Sequence, residues 1–406
     1  MKNSTVQKLI AGNQQLTSEQ QTMLNNIQQF TITHLHDQKH AVYVIYGDAG
    51  TGKSVILSQL FYDFQQLASS KSGPLAGTHN YFLVNHPEIL KVYKQIAGQE
   101  THVLKKNFQR PTSFINQMNK NDGHADITII DEAHLLLSRR DAYNNFYQDN
   151  QLQEIINSSQ VTILVFDHRQ VLRTKSFWTD ARLKKLIAPY TVGEYHLTHQ
   201  FRMNASPELV KWINTFTDGQ LTPIPKQCGP GYDFRIFDDA EAMRQLIVKR
   251  NQEVGISRIV STSGYPSTLD GGKHYIVEGD FKMPWDQYNY TQTPWPEIPA
   301  TINEVGSMFT CQGFDLNYVG VILGPPIKIN DQDQLEVDLT KFTDVESLKR
   351  RSDITDPKEF AAIKQRLVLN SVNVLMKRGI KGLYIFAHDQ VLRQRLLDLW
   401  HAHQDQ

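Results

Sequence analysis

A short stretch near the start of the chain combines glycines, a lysine and a hydroxyl in the pattern of a phosphate-binding loop. Gly47 is followed by four residues and then by Gly52, Lys53 and Ser54. Backbone N–H groups in such a loop cradle phosphates, while the lysine reaches the outer phosphates and the hydroxyl meets Mg²⁺. The glycines are needed because only a residue without Cβ lets the backbone wrap a polyanion closely. The residues predicted to bind a nucleotide are Gly47, Asp48, Ala49, Gly50, Thr51, Gly52, Lys53 and Ser54.

Two adjacent acids supply the chemistry that a phosphate loop lacks. Asp131 and Glu132 directly follow the apolar, β-branched run 126–130. A carboxylate at the carboxyl end of a parallel strand can face the phosphate loop across the sheet. We therefore expect Asp131 to hold Mg²⁺ with Ser54, and Glu132 to orient and deprotonate the water that attacks a γ-phosphate. The alternative, an acidic cap between a strand and a helix, leaves the loop without a metal partner.

Two further residues are candidates for contact with the reacting phosphate. Gln170 ends the run Asp-His-Arg-Gln after the fourth predicted strand, where it could sense the γ-phosphate or the attacking water. The same run is also compatible with an ordinary turn. Arg202 is a candidate stabiliser of the charge on the transferring phosphoryl group. A lone arginine is more often a solvated or paired surface residue, so both alternatives stay open.

Strand-like and helical segments alternate in the first half of the chain and would position these residues. The strands are predicted at 41–46, 81–84, 126–130 and 161–166, and a helical pattern follows the phosphate loop from Ile56 to Leu67. Strands that alternate with helices favour a parallel sheet covered by helices. The sequence thus predicts an α/β nucleotide-binding domain.

A second α/β domain is predicted beyond a segment rich in proline and glycine. We place domain 1 at 1–217, a linker at 218–232 and domain 2 at 233–406, because the linker interrupts the periodic pattern. Within domain 2, the aromatic and proline-rich stretch 264–302 is predicted to be an ordered insertion. The predicted strands of domain 2 are 234–237, 258–261, 318–323 and 382–386.

Bulk properties restrict the class of protein. The 406 residues suit two domains, and 42 acidic residues balance 42 basic ones, so a nucleic-acid site must be a local strip. The cysteines, Cys228 and Cys311, do not form a CxxC pair, which argues against a disulfide framework or a cysteine zinc site. The N-terminus lacks a signal-peptide core, and no apolar run approaches a membrane span. We expect a cytoplasmic protein without membrane association.

Taken in order, the motifs of the first domain resemble those of a superfamily 1 helicase core. The phosphate loop resembles motif I, and Asp131 with Glu132 resembles motif II. The segments 82–86 and 111–114 fall where nucleic-acid-facing segments of that family lie. The remaining matches are 16–20 with Gln20 as the adenine-recognising Q motif, 167–170 as motif III and 200–202 as motif IV.

The second domain carries two further matches to the same family. The segment 304–315 resembles motif V, which implies nucleotide contacts for Gln312, Gly313 and Asp315. The segment 373–385 resembles motif VI, in which an arginine reaches the γ-phosphate across a cleft, and Arg378 is that arginine here. Closer still, the chain resembles the uncharacterised bacterial P-loop ATPase family related to the Schlafen-type DNA/RNA helicase domain.

The resemblance implies a fold and an activity. The expected fold is α/β, with two RecA-like P-loop NTPase domains, each a mainly parallel sheet flanked by helices, and an ATP cleft between them. The expected activity is hydrolysis of ATP with Mg²⁺ by a translocase or remodeller of single-stranded DNA or RNA. The chain has no room for the accessory domains of larger helicases, so processive strand separation is not expected. The implied catalytic residues are Glu132, Gln170, Arg202 and Arg378.

Two other functions remain compatible with the sequence. A nucleotide-dependent switch that acts on a protein partner would need the same hydrolytic site without nucleic-acid surfaces. A small-molecule kinase would use the first domain and leave residues 300–385 unexplained.

Basic and aromatic residues suggest where a strand could bind. Lys105, Lys106, Phe108 and Arg110 interleave charge with an aromatic ring, as single-strand sites do, although a solvated helix face is the alternative. In the insertion, aromatic side chains could stack bases or pin the insertion to its domain. Those side chains are Trp285, Tyr288 and Trp295.

Overall fold

The computed structural model describes residues 9–10, 16–48, 50–99, 101–197, 202–267, 272–291 and 293–404. The chain divides into two compact units. The first unit comprises Met1–Val171 and Lys175–Gln200, and the second comprises Leu172–Thr174 and Phe201–Gln406.

The first unit contains one six-stranded sheet. Its strands are β1 (Ala41–Gly47), β2 (Asn80–Val84), β3 (Phe108–Gln109), β4 (Ala125–Asp131), β5 (Ser159–Phe166) and β6 (Thr191–Leu197). They lie in the order β3-β2-β4-β5-β1-β6, and every neighbouring pair is parallel. Parallel strands need crossover connections, and helices supply them here. The four predicted strands of the first domain are therefore confirmed.

Among the described residues, six helices accompany this sheet. They are α1 (Ser18–His34), α2 (Lys53–Ala68), α3 (Pro87–Ile96), α4 (Pro111–Asn121), α5 (Gln151–Asn157) and α6 (Asp180–Ile187). Proline is the first residue of α3 and of α4, where its missing N–H costs no hydrogen bond. Asn150 and Thr179 cap α5 and α6 by accepting backbone N–H bonds.

The strand register brings the functional segments to one edge of the sheet. Ile45 of β1 lies beside Val165 of β5, and Ile130 of β4 lies beside Leu164. Because all strands run the same way, β1, β4 and β5 end at nearly the same level. The phosphate loop, the acid pair and the Gln170 segment therefore leave the sheet at a shared carboxyl edge, which is where α/β sheets bind ligands.

The second unit is built on a parallel sheet with two small antiparallel hairpins. Its strands are β7 (Asp233–Ile236), β8 (Arg258–Ser261), β9 (Tyr275–Glu278), β10 (Phe281–Pro284), β11 (Val305–Gly306), β12 (Leu316–Leu323), β13 (Ile327–Ile329), β14 (Leu335–Val337) and β15 (Gly379–Ala387). The parallel sheet has the order β11-β8-β12-β15-β7, while β9 pairs with β10 and β13 with β14. Its helices are α7 (Pro207–Thr217), α8 (Ala240–Val254), α9 (Met308–Cys311), α10 (Pro357–Met376) and α11 (Gln390–Gln404).

The division between the units differs from the boundary that the sequence places at 218–232. Helix α7 precedes that segment, yet its buried residues Leu209, Trp212 and Phe216 pack in the core of the second unit with Phe234. The proline and glycine residues after α7 thus form a connection inside the second unit. An amphipathic helix buries its apolar face wherever a complementary core is available, and composition alone does not say which core that is.

A three-residue segment of the first half of the chain also belongs to the second unit. The backbone N–H of Thr174 donates to Ser347 O at 2.8 Å, and its hydroxyl donates to Lys349 O at 2.7 Å. The buried guanidinium of Arg351 donates to Thr174 O at 2.6 Å. These bonds explain why Leu172–Thr174 groups with the second unit.

A buried arginine anchors the described part of the aromatic insertion. Arg258 donates to the carbonyl oxygens of Pro296 and Ile298 at 2.8 and 3.0 Å, and to Thr301 Oγ1 at 2.8 Å. Burial lowers the pKa of Arg258 to about 10, against the opposing charge of Glu304. The prediction of an ordered insertion is consistent with this packing.

Among the described residues, no helix is long and apolar enough to cross a membrane.

The two cysteines should react slowly with thiol reagents. Cys311 is fully buried and Cys228 is partly buried, and burial raises the pKa of each thiol to about 11. Because the thiolate is the reactive form, we expect each to react at least about tenfold more slowly at pH 8 than a free cysteine. Titration with a chromogenic disulfide before and after unfolding in urea measures this. Single variants, Cys228→Ala and Cys311→Ala, assign the signal, and fast reaction of either native thiol contradicts the prediction.

Candidate nucleotide-binding site

The phosphate loop connects β1 to α2 through two glycines with positive φ. Gly50 has φ 91°, and Gly52, the N-cap of α2, has φ 78°. Side chains with a Cβ rarely adopt this region, so both positions favour glycine. No side chain caps α2, which leaves its first N–H groups available to an anion. Ala49, which the sequence also assigns to the loop, lies outside the described residues.

Close packing explains why position 47, the first of the loop, is a glycine. A Cβ on Gly47 would lie 2.9 Å from Thr51 Oγ1 and 3.1 Å from Leu197 Cβ. The hydroxyl of Thr51 in turn donates to Asp48 O at 3.1 Å, which closes the loop on itself. Gly47 thus allows the loop to fold back against β6.

Lys53 lies within this loop and contacts its backbone. Its Nζ donates to Gly47 O at 2.6 Å and to Asp48 O at 2.5 Å, and the residue is only 7% exposed. The ammonium is therefore held over the concave side of the loop. Phosphate oxygens of a nucleotide would compete with these two carbonyl oxygens for the ammonium protons.

The two residues predicted to hold Mg²⁺ contact each other. Ser54 Oγ donates to Asp131 Oδ2 at 3.1 Å, and Asp131 is 1% exposed. The Tyr93 hydroxyl donates to the same oxygen at 2.7 Å, and the Glu132 N–H donates to Oδ1 at 3.0 Å. A buried carboxylate beside a hydroxyl is an oxygen donor set that suits Mg²⁺. The residues present therefore fit the predicted metal.

The pKa of Asp131 reflects this burial. Loss of hydration and the charge of Glu132 raise its pKa from 3.8 to about 6, although hydrogen bonds from Tyr93 and Ser54 and the charge of Lys53 oppose the shift. A divalent cation would favour the ionised form in the same way as Lys53, but more strongly. A cation bound beside Asp131 would thus lower this pKa.

Glu132 is held in an unusual backbone conformation beside a buried histidine. Its φ is 53° and its ψ is 48°, in the left-handed region that costs free energy for a residue with a side chain. His134 Nε2 lies 3.1 Å from Glu132 Oε2, and His134 is fully buried. This pairing orients the carboxylate that is predicted to act on water.

Gln170 lies at the carboxyl end of β5, the strand between β4 and β1 in the sheet. Its Nε2 donates to Asp167 Oδ2 at 2.8 Å, and the N–H of Arg169 donates to Oδ1 at 3.0 Å. Asp167 thus caps the short 3₁₀ helix His168–Gln170. The structure thus contains the turn that the sequence allows at Asp167–Gln170. Contact of Gln170 with the γ-phosphate or the attacking water stays a prediction.

Gln20 takes part in a capping box at the start of α1. Its Oε1 accepts from the Thr17 N–H at 3.0 Å, and its own N–H donates to Thr17 Oγ1 at 3.3 Å. The residue is buried. Adenine recognition by Gln20 stays a prediction, and the capping geometry fixes where its carboxamide lies.

The site residues predicted in the second unit form a group of their own. Arg202 forms an ion pair with Asp315, which follows Gly313 at φ 85°. The buried Gln312 closes α9 by donating its N–H to Met308 O at 3.0 Å. The first unit thus brings together Lys53, Ser54, Asp131 and Glu132, and the second brings together Arg202, Asp315 and their neighbours.

Arg378 is buried within the second unit. It follows α10, and its Nε donates to Val374 O at 2.8 Å, while its Nη1 donates to Phe314 O at 3.4 Å. Arg378 and Arg202 both oppose the burial effect on the pKa of Cys311, so both cations lie near that thiol. Main-chain carbonyls hold the guanidinium of Arg378 here.

The structure separates the aromatic candidates for base stacking. Phe108 is buried and lies 5.1 Å from Phe61 between ring centroids, so the expectation that it interleaves with Lys105 and Lys106 at a surface is wrong. Trp285 and Trp295 are buried as well, whereas Tyr288 is exposed.

Sequence reasoning did not assign Tyr93 or His134 to the site. Tyr93 occupies an apolar-face position of α3, and a tyrosine there is indistinguishable from a core residue in a single sequence. His134 follows the acid pair by two residues, and that proximity was the available signal.

A phosphate loop, an acid pair at the carboxyl edge of a parallel sheet, and a second parallel-sheet unit define a helicase-like protein of the P-loop NTPase class. More specifically, the chain belongs to the Schlafen group 3, DNA/RNA helicase domain family, whose model matches residues 40–389. This match confirms the resemblance to a superfamily 1 helicase core.

Individual relatives give the range of similarity. A Saccharomyces cerevisiae protein named "Uncharacterized protein YPL245W" is 40% identical over 419 residues, covering 95% of this chain and 91% of the relative. The crystal structure of Pif1 helicase from Candida albicans is 12% identical, covers 97% of this chain and 99% of that chain, and has a TM-score of 0.39. Pif1 helicase from Bacteroides in complex with ADP-AlF3 and ssDNA is 13% identical, with 97% and 98% covered and a TM-score of 0.33.

Replacement of Asp131 by Asn should stabilise the protein in the absence of nucleotide and metal. The pKa of Asp131 is higher in the folded state, so folding is favoured at low pH, where the group is protonated, and this advantage is lost as pH rises toward about 6. The Asp131→Asn variant removes the buried charge. We expect its melting temperature at pH 8 to exceed that of the wild type by a few degrees, since about 1 kcal/mol shifts Tm by ~2–4 °C in units of this size.

The comparison is made by calorimetry in chelator from pH 8 down to pH 4. The excess stability of the variant should shrink between pH 6 and pH 4. Asp331→Asn, at an exposed position, is the matched control and should change little. A variant less stable than the wild type at pH 8 contradicts the prediction.

Proposed function

We propose that this chain hydrolyses ATP and uses the energy to move along, or to remodel, single-stranded nucleic acid. The observation that carries the proposal is the contact of Ser54 with the buried Asp131 beneath the phosphate loop, with Glu132 adjacent. Membership of a DNA/RNA helicase domain family supports nucleic acid as the object that is moved.

The residues of the first unit account for the hydrolytic step. Lys53 and the N–H groups at the start of α2 would bind the β- and γ-phosphates, as Lys53 already lies over the loop. Ser54 and Asp131 would hold Mg²⁺, which neutralises phosphate charge when bound. Glu132 would take a proton from water as the water oxygen bonds to the γ-phosphorus and the bond to the β-phosphate oxygen breaks, yielding ADP and phosphate.

Three residues remain predicted for the same reaction. Gln170 would orient the attacking water or sense the γ-phosphate from the end of β5. Arg202 and Arg378 are proposed as the cations that stabilise the transferring phosphoryl group. Both arginines hydrogen-bond within the second unit, so this role requires the phosphate charge to replace their present partners.

A nucleotide-dependent switch that acts on a protein partner is the second candidate. The balance of 42 acidic and 42 basic residues favours it modestly, because this chain lacks the global cationic field of many nucleic-acid-binding proteins. Translocation requires instead that the nucleotide state change how tightly the strand is held. A dependence of hydrolysis on polymer therefore separates the two candidates.

We expect ATP hydrolysis to rise several-fold when single-stranded DNA or RNA is added at low salt. Steady-state phosphate release with oligo(dT), with oligo(U) and without polymer measures this and also distinguishes DNA from RNA. Equal rates under all three conditions would contradict the nucleic-acid part of the proposal and favour the protein-directed switch.

Substitution of Glu132 by Gln should separate binding from turnover. The carboxamide keeps the shape of the side chain but cannot accept the water proton, so we expect the rate of ATP hydrolysis to fall by about 10²–10⁴-fold while ATP still binds.

Lys53→Ala should weaken both ATP binding and hydrolysis, because it removes a phosphate contact. Glu208→Gln, on the exposed side of α7, is the control. Undiminished hydrolysis by the Glu132 variant would overturn the assignment of the base.

A further inference from the structure

A surface loop of the first unit follows the acid pair and is closed by two backbone hydrogen bonds. This Tyr143 loop comprises residues 139–149. Asp141 N–H donates to Phe146 O at 2.9 Å, and Phe146 N–H donates back to Asp141 O at 3.1 Å. The Phe146 side chain is fully buried, and Asn145 turns the chain at φ 54°. The loop is therefore a tight turn anchored by a core residue.

Two tyrosine rings of the Tyr143 loop are exposed to solvent and do not pack in the core. Tyr143 is 90% exposed and Tyr147 is 56% exposed. A cation accompanies each ring: Lys175 Nζ lies 5.8 Å from the Tyr143 centroid, and Arg140 Cζ lies 5.4 Å from the Tyr147 centroid. Such cation–π contacts keep positive charge beside flat apolar surfaces.

The carboxylate of Asp141 is compensated by its neighbours, while Asp149, at the end of the loop, is exposed. Lys175 Nζ lies 2.9 Å from Asp141 Oδ2, and Asn144 Nδ2 donates to the same oxygen at 2.7 Å. Burial would raise the pKa of Asp141, but the hydrogen bonds from Lys175 and Asn144 and the positive charge of Lys175 together lower it. Asp141 thus orders the loop and Lys175 rather than presenting a separate negative charge.

The Tyr143 loop adjoins the segment that the sequence assigns to face nucleic acid. Asn116 Nδ2, on α4, donates to Asn145 O at 3.5 Å. Just beyond the loop, Gln151 Nε2 donates to Thr112 Oγ1 at 2.9 Å, and Thr112 lies in the predicted segment 111–114. The Tyr143 loop therefore lies against α4, the helix that begins at the predicted segment 111–114.

We propose that Tyr143 and Tyr147 form a base-stacking platform for single-stranded nucleic acid, with Arg140 contacting its phosphates. The inference rests on the proposed function and names a binding site for it in the first unit. Stacked aromatics beside cations suit single strands, because every base offers a π-face whatever its sequence. A protein partner would instead favour a continuous apolar patch, and the rings here are separated by Asn144, Asn145 and the buried Phe146.

Binding of fluorescent oligo(dT) and oligo(U) to the full chain tests the platform. We expect Tyr143→Ala and Tyr147→Ala each to raise Kd about tenfold for the polymer that binds the wild type, with basal ATP hydrolysis unchanged. The corresponding Phe variants should bind like the wild type, since they keep the ring. Val192→Ala, which truncates an exposed apolar side chain of β6, is the control for surface substitution.

Salt dependence distinguishes stacking from charge. The tyrosine variants should lower affinity without changing the slope of log Kd against log salt concentration. Arg140→Gln should flatten that slope by about 0.7 for one lost phosphate contact. In addition, an oligonucleotide with a photoreactive thymine or uracil analogue should crosslink to the peptide that carries Tyr143 and Tyr147.

The outcomes separate this inference from the function on which it rests. If the wild type binds polymer and the Tyr143/Tyr147 double Ala variant, with an unchanged melting temperature, binds equally well, the platform is overturned and the proposed function stands. Crosslinks confined to other peptides have the same consequence. If the wild type neither binds polymer nor is stimulated by it, the stacking platform and the nucleic-acid part of the proposed function are both overturned.

Discussion

A buried carboxylate at the end of a parallel strand is the constraint around which the first unit is arranged. Asp131 lies at the end of a central strand, almost without solvent contact, and hydrogen bonds from Ser54 and Tyr93 compensate its charge only in part, because its pKa remains raised. An apolar or neutral side chain at this position would give the folded state a larger free energy of unfolding. A bound cation, such as the proposed Mg²⁺, would offset the free energy that this charge costs.

The parallel sheet makes that arrangement possible. Strands β1, β4 and β5 end at one edge, so a loop, an acid pair and an amide that are far apart in sequence become neighbours. The backbone directs the two acids to different surroundings. Asp131 is the last residue of β4, whereas Glu132 adopts a left-handed backbone conformation and its carboxylate contacts His134. Two adjacent carboxylates thus gain different partners, which suits one to a metal and the other to water.

Local patterns predicted the strands, the phosphate loop and the acid pair, because each depends on residues close together in sequence. Features that depend on tertiary packing were not predictable in the same way. Helix α7 was assigned to the first domain, since its amphipathic pattern does not state which core receives it. Phe108 is predicted to be a surface ring among basic residues, yet it is buried beside Phe61. Tyr288 is exposed as a stacking candidate would be, and so are Tyr143 and Tyr147, which the sequence did not single out. An aromatic residue in a single sequence does not show by its type whether it packs in a core or lies on a binding surface.

The contrast between the two aromatic regions bears on function. In the insertion, Arg258 surrenders much of its hydration to bind three main-chain and hydroxyl acceptors, and Trp295 is buried beside that anchor. Tyr288 of the same insertion is exposed. In the Tyr143 loop, Phe146 is buried in the core, and the two tyrosines on either side of it are exposed, each beside a cation. Exposure of these two rings beside a predicted nucleic-acid segment is the arrangement that the proposed stacking platform requires.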